Sequence, residues 1–553
     1  MKSLFAFALL AGTAAFAAAP VCAGDGIQFE WFEYTGRDAT FSAPPPAGSF
    51  HNPILAGYYP DPAVERVGDK YYLVNSTFAH WPGIPIHEST DLVHWTLIGH
   101  ALSDPSKVTY DGLEISRGVF APSIHHHDGT FYVVNTLVGA GGNFVVTATD
   151  PRGPWSDPVW LKGVNGIDPS LFFDTDGKTY LVHNGPPEGT PLYDGHCALW
   201  IHEFDLKKLE AGPGKVLVNG GVDITKKPQW IEGPHLYRVR DWYYLMAAEG
   251  GTERNHSEVI FRSKSPWGPF EAYPGNPILT QRDLPEDRPN PVTNSGHADL
   301  IQMKDGSWWA VFLASRPYEG FLYNTGRETF LLPVSWKEGW PVILEQGKPI
   351  PYVVKGPKGM KRDAQAGADL SGGNFDQRDE FDSAEPGHEW LQVHVPKQRW
   401  YELTDGTLLI HPLAVRLDEK RNASFYARRQ AHQRFAATTE LHPPKSPGTA
   451  AGLAAYQNES HWYFFGARRA DRKLQLFLER RAGEATETVA TAMVDVPETL
   501  RLLINGNGRH YSFFYDAGDG WQLLRDNDDA SILSTEIAGG FVGTVLGPYA
   551  RQE

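Results

Sequence analysis

The sequence predicts an all-β protein: a five-bladed β-propeller followed by an antiparallel β-sandwich. Three observations predict it. A strand–turn–strand pattern recurs five times between residues 55 and 345. Its copies start about 45–65 residues apart, the range of four-stranded propeller blades. After residue 355 the pattern breaks, and short alternating runs resume from Asp379.

The N-terminal residues come first. Residues 1–23 read as a signal peptide, with Lys2 at the start, an apolar run from Leu4 to Ala19, and small residues at Val21-Cys22-Ala23. The run is short for a membrane span. A secreted or periplasmic protein is expected. Without that segment only Cys197 remains, so no intrachain disulfide can form. Residues 24–48 follow as a strand and connector. IQFEWFEYTG (27–36) alternates aromatic and acidic residues, as a strand with one buried face does. SAPPPAG (42–48) is a Pro-rich connector.

Residues 49–355 hold the repeat. Its copies are DPAVERVGDKYYLV from Asp61, APSIHHHDGTFYVV from Ala121, DPSLFFDTDGKTYLV from Asp168, EGPHLYRVRDWYYLM from Glu232 and HADLIQMKDGSWWAV from His297. Gly68-Asp69, Asp128-Gly129, Asp176-Gly177, Arg240-Asp241 and Asp305-Gly306 each sit between two β-type runs, the hairpin signature. Further strands at 83–90, 143–149, 198–204, 257–263 and 328–334 extend each unit. An array of sandwiches is the competing architecture. Residues 356–378, rich in Gly, Lys and Asp, read as a linker. Residues 379–553 carry regularly spaced short strands, among them 407–413, 461–469, 474–481 and 511–516, and predict the sandwich.

A chain of 553 residues exceeds one ordinary core, in keeping with two domains. The net charge of −16 argues against nucleic acid or an anionic membrane as partner, since both need basic surface. Aromatic residues make up 12%, which suits sugar rings as well as β cores.

Aligning the copies on Val64, Ile124, Leu171, Leu236 and Leu300 places Asp61, Ala121, Asp168, Glu232-Gly233 and His297 at matching points. Innermost strands of a propeller converge on a central channel, so these points should share one pocket. A lone Asp before Pro is a common turn opener. Three carboxylates at matching repeat positions are a candidate site. Cutting a glycosidic bond needs a protonated acid beside the leaving oxygen and a carboxylate that activates water or attacks the sugar. Crowded carboxylates cannot all ionise, so one is left to serve as the acid. There is no Gly-x-Ser-x-Gly elbow, P-loop or Gly-x-Gly-x-x-Gly fingerprint. His125-His126-His127 does not read as a metal site, because consecutive strand residues face opposite ways.

The motifs NPILAGYYPDPA (52–63), GIDPSLFFDTDGKTYLVHNG (166–185), IEGPHLY (231–237), SGHADL (295–300) and GRETFLLPV (326–334) resemble glycoside hydrolase family 43. The likeness is to its β-xylosidase and α-L-arabinofuranosidase members with a C-terminal, concanavalin-like sandwich. The resemblance implies Asp61 as general base, Glu232 as general acid and Asp168 as the residue that tunes and orients the acid. It implies Arg327 as a sugar contact and inversion at the anomeric carbon. Trp81 and Phe78 are candidates for stacking on the sugar. His80 and Phe120 depart from the family's usual aromatics at their positions. Phe541, in GGFVGTVLGPYA (539–550), is a candidate for an aromatic sent from the sandwich to the pocket rim. His297 either lies near an axial, structural calcium or hydrogen-bonds in the core. No cofactor is otherwise required. FEWFEY (29–34) has the pattern of the relatives' final strand, Phe-Asp-Trp-Phe-x-Tyr, and is expected to supply a missing edge strand of the sandwich.

The implied activity is exo-hydrolysis of terminal β-D-xylosyl residues from plant cell-wall oligo- or polysaccharide. The alternatives are an α-L-arabinofuranosidase, a bifunctional enzyme, or a non-catalytic carbohydrate-binding propeller.

Overall fold

The computed structural model describes residues 26–360 and 372–553. The signal segment lies outside the described residues, as does the middle of the expected linker.

Five antiparallel sheets follow one another, each built on one copy of the repeat. Their innermost strands are Ala63–Val67, Ser123–His127, Ile167–Phe173, Glu232–Val239 and Thr293–Gln302. These five touch in cyclic order, and the fifth returns to the first, so the sheets close into a propeller. Each is joined to its second strand across the turn expected from sequence, as in the pairing of Val67 with Lys70. A short strand at Ser49–His51 pairs with Val353–Lys355 and brings the two ends of the propeller together. Asn52 fastens this closure, accepting from the Leu331 N–H and donating to its carbonyl at 2.9 Å each.

The second domain is a sandwich of an eight-stranded and a six-stranded sheet. Their facing sides meet in an apolar core that includes Phe29, Phe32, Phe435, Leu453, Phe465, Leu476, Leu502 and Phe513.

The N-terminal strand, Ile27–Gly36, lies in the larger sheet, but in its interior and not at its edge. It pairs with Arg434–Leu441 on one side, and with Thr407–Ile410 and Asp376–Asp379 on the other. A bulge between Phe29 and Trp31 shifts the alternation by one. Phe29 and Phe32, an odd number of residues apart, thereby both face the core. Asp376–Asp379 also corrects the expected linker boundary. These polar residues show no hydrophobic pattern, and pairing with the N-terminal strand makes them a strand.

Burying an interior strand on both edges makes it a structural element of the sandwich. Phe32→Ala should cost about 3–5 kcal/mol. Calorimetry is expected to show the sandwich transition moving to lower temperature while the propeller transition holds. An unchanged sandwich transition would contradict this placement.

Candidate active site

Four of the five innermost strands enter the channel through a left-handed residue at one repeat position. These are Asp61 (φ 51°), Asp168 (φ 57°), Gly233 (φ 57°) and His297 (φ 51°). For a residue with a side chain this conformation costs about 1–2 kcal/mol. It breaks the ladder between Ile167 and Ser170, Glu232 and His235, and Gly296 and Asp299. Such irregularities re-aim side chains beside active sites. In the fourth blade the kinked residue is Gly233, so Glu232 precedes the position that Asp61 and Asp168 occupy.

The three carboxylates line one narrow cavity of about 60 Å³ together with His297, Arg327, Thr252, Phe78, Phe120 and Phe541. That is room for a few water molecules.

Asp61 is held by two donors. Ser76 Oγ donates to its Oδ2 at 2.5 Å, and Arg327 Nη1 donates to its Oδ1 at 3.1 Å. His297 Nδ1 stands 3.8 Å from the same Oδ1. Burial pushes Asp61 up, but Arg327, His297 and Ser76 together outweigh it and hold the carboxyl below the ordinary aspartate range. Asp168 accepts the Gly233 N–H at 3.1 Å. Burial raises Asp168 well above the ordinary range, and the Glu232 and Asp61 charges raise it further. Burial, then the Asp61 charge, push Glu232 to about 7 against the pull of Arg327. Asp168 and Glu232 therefore titrate as a pair. At neutral pH the pocket holds an ionised Asp61 beside a pair that retains a proton.

Phe78, Phe120 and Phe541 form one wall. Phe78 and Phe541 stack with centroids 5.7 Å apart, and Phe120 meets them edge-on at 5.3 and 5.7 Å. Phe541 comes from the sandwich. Its carbonyl accepts from Arg327 Nη2 at 3.4 Å, and its N–H donates to Ser116 Oγ at 3.0 Å. Gly326 and Gly543 permit the approach. A Cβ on Gly543 would lie 2.7 Å from the Thr325 carbonyl oxygen, and one on Gly326 would lie 2.9 Å from the Gly543 Cα.

Trp81 is not in the pocket. It pairs with Gln392 of the sandwich and packs edge-on to Tyr110 with centroids 6.1 Å apart. The strand it joins belongs to the domain interface, which buries its indole. His297 lines the pocket, and burial lowers its pKa to about 4 despite the pull of Asp61. Calcium takes six to eight oxygen ligands. Around His297 stand the Asp61 carboxylate, already engaged, and the charge-coupled His235 and His256. No group of three or more His, Cys, Asp and Glu among the described residues is placed to hold a metal. Protein donors alone do not fit calcium there.

Sequence reasoning missed Ser76 and His256. Ser76 was legible: the ladder pairs Ala63 with Val74, so continuing it sets Ser76 opposite Asp61. His256 gave no such signal. It lies on a loop, with Nδ1 2.9 Å from the Asn294 carbonyl oxygen, and its charge is coupled to that of Asp61.

Residues 50–341 match the family described as glycosyl hydrolases family 43, and residues 378–553 match the β-xylosidase C-terminal concanavalin A-like domain. The chain belongs to glycoside hydrolase family 43. It is 36% identical over 514 residues to a non-reducing end α-L-arabinofuranosidase of Bacteroides ovatus, covering 91% of both chains. It is likewise 36% identical over 518 residues to a xylosidase/arabinosidase of Butyrivibrio fibrisolvens, covering 90% of this chain and 95% of that one. A solved GH43_12 protein retrieved from a capybara gut metagenome superposes with a TM-score of 0.89 at 40% identity, covering 95% of this chain and 99% of that one. This family 43 protein is therefore a glycoside hydrolase of the β-xylosidase/α-L-arabinofuranosidase type, an exo-glycosidase.

The raised Glu232 has a consequence for stability. Its ordinary value is 4.5 and its folded value about 7. Between these values the unfolded chain releases the proton first, so folding weakens as pH rises through this window and stays weakened above it. Glu232→Gln should therefore stabilise the propeller at pH 8 and have little effect at pH 4. Denaturant unfolding at the two pH values measures the difference. Equal effects at both would refute the raised value.

Proposed function

We propose that the enzyme inverts the anomeric centre while releasing terminal β-D-xylosyl residues from xylo-oligosaccharides and xylan fragments of the plant cell wall. The observation that carries this reading is the split titration within one cavity: Asp61 held low, Glu232 pushed to about 7. Asp61, ionised, is the general base that takes a proton from water. Glu232, protonated, gives its proton to the leaving oxygen. Asp168, coupled to Glu232, keeps that proton in place and orients the acid. Arg327 fixes the base and contacts the sugar hydroxyls, with Phe78 and Phe541 as the wall against the ring. Inversion asks for about 6.5–9.5 Å between base and acid, so that water fits between them. A single narrow cavity supports action on chain ends. The reading requires no cofactor, and the signal segment supports a secreted or periplasmic site of action.

A second reading is release of terminal α-L-arabinofuranosyl residues, alone or alongside xylose. The names of the Bacteroides ovatus and Butyrivibrio fibrisolvens relatives favour it. A binding module without catalysis would need none of the sorting of protons between Asp61 and Glu232.

Rates on paired aryl β-xylopyranoside and aryl α-arabinofuranoside should separate the two sugars, and NMR of the first-formed anomer should show inversion. A retained anomer would sink the base assignment. Glu232→Ala should lower hydrolysis of unactivated oligosaccharides about a hundred- to ten-thousand-fold. In the wild type kcat/KM should fall as pH rises through about 7, because the acid must hold its proton. A pH profile flat from 6 to 9 would contradict this role.

A further inference from the structure

We infer that Trp230 is the stacking platform for the first sugar on the leaving-group side of the scissile bond. The inference rests on the reading of Glu232 as general acid and extends it to the neighbouring subsite.

Among the described residues the exposed tryptophans are Trp160, Trp230 and Trp521. Trp160 lies on an outer blade strand and Trp521 on the sandwich. Trp230 alone stands at the entry of an innermost strand, two residues before Glu232. That strand begins at the pocket mouth, so the residues just before it form the rim. A leaving group protonated by Glu232 departs past this rim.

The indole is seated and still open, with 42% of the residue exposed. It rests in a slot between two loops. A Cβ on Gly195 would lie 3.2 Å from Cε2, and one on Gly251 would lie 3.0 Å from Cε3. Both glycines have positive φ. The Trp230 N–H donates to the Gly195 carbonyl at 2.8 Å, and the Gly250 N–H donates to the Gln229 carbonyl at 2.9 Å. Thr252, next to Gly251, lines the catalytic cavity. The ring is thus one residue away from the cavity wall.

Its backbone points the same way. Trp230 has φ 46°, which is an outlier for a bulky aromatic residue. Such strain persists where the surroundings over-determine it, and it clusters at ligand clamps. An aromatic residue held between two loops and still 42% exposed offers contact area with little ordering left to do on binding. The chemistry that fits is the apolar face of a pyranose or furanose ring, joined through the oxygen that Glu232 protonates.

The test compares two substrates of one pentose. One is the unsubstituted disaccharide, which fills the leaving-group side with a sugar. The other is the glycosyl fluoride, which fills it with a single atom. In Trp230→Ala the ratio of kcat/KM on disaccharide to kcat/KM on fluoride should fall about tenfold, and Trp230→Phe should restore most of it. Turnover of the fluoride also reports that the variant is folded. A ratio unchanged from wild type overturns the proposal. The acid assignment is judged separately: if Glu232→Ala cleaved the disaccharide at the wild-type rate, that reading would fail whatever ratio Trp230→Ala gave.

Discussion

A buried ion cluster around Arg316 underlies the arrangement of both domains. Arg316 donates from Nε and Nη2 to Glu328 at 2.6 and 2.8 Å, from Nη1 to Asp38 at 2.8 Å, and from Nη2 to the Ala431 carbonyl at 2.8 Å. Glu328 also accepts the Gly57 N–H at 2.7 Å. One guanidinium thus joins the fifth blade, the propeller closure, the N-terminal segment and the sandwich. Both side chains of the Arg316–Glu328 pair are essentially inaccessible. Removing either partner would leave a buried charge uncompensated, at about 3–5 kcal/mol. Glu328 is also the sequence neighbour of Arg327. Adjacent extended residues face opposite ways. Arg327, just before the strand that Glu328 opens, reaches the other way and bonds Asp61.

The pocket sorts its protons by where that cation sits. Burial raises all three carboxylates, because a low-dielectric site disfavours charge. Arg327 and the Ser76 hydroxyl both bond Asp61, and there they reverse the effect of burial. Asp168 receives only a backbone N–H, and the nearby acids raise it further. Repetition supplies equivalent entry points into the channel. The asymmetry needed for acid–base chemistry comes from what surrounds Asp61: Arg327 of the fifth blade, His297 and the Ser76 hydroxyl.

Much of this was legible in the sequence because propeller repeats place equivalent residues in equivalent surroundings. The turn dipeptides fixed the hairpin registers, and the registers put Asp61, Asp168 and Glu232 at one mouth. What escaped was mostly what depended on a partner in the other domain, together with His256, a loop residue of the propeller outside the repeat. Phe78 and Trp81 lie three residues apart in one aromatic segment, and nothing local separates them. Trp81 is claimed by Gln392, a residue of the sandwich. The N-terminal strand reads as an edge by likeness to the relatives' final strand, and one of its neighbours, Asp376–Asp379, is polar and carries no strand signal. Phe541 was visible only by likeness to a family, since a lone aromatic in a glycine-rich stretch has no pattern of its own.

The position of that first strand makes the propeller an insertion within the sandwich. The strand Ile27–Gly36 pairs with residues that lie on the far side of the whole catalytic domain. Such long-range pairing is slow when the intervening chain is loose, because loop closure opposes it. Here the intervening chain is not loose. Ser49–His51 pairs with Val353–Lys355, so the folded propeller delivers its two ends side by side. The closed propeller thus sets the N-terminal strand beside Asp376–Asp379 in the larger sheet. The sandwich then carries Phe541 to the pocket, where Arg327 and Ser116 receive it. The catalytic wall is therefore completed by a residue of the other domain, so the pocket depends on both domains being docked.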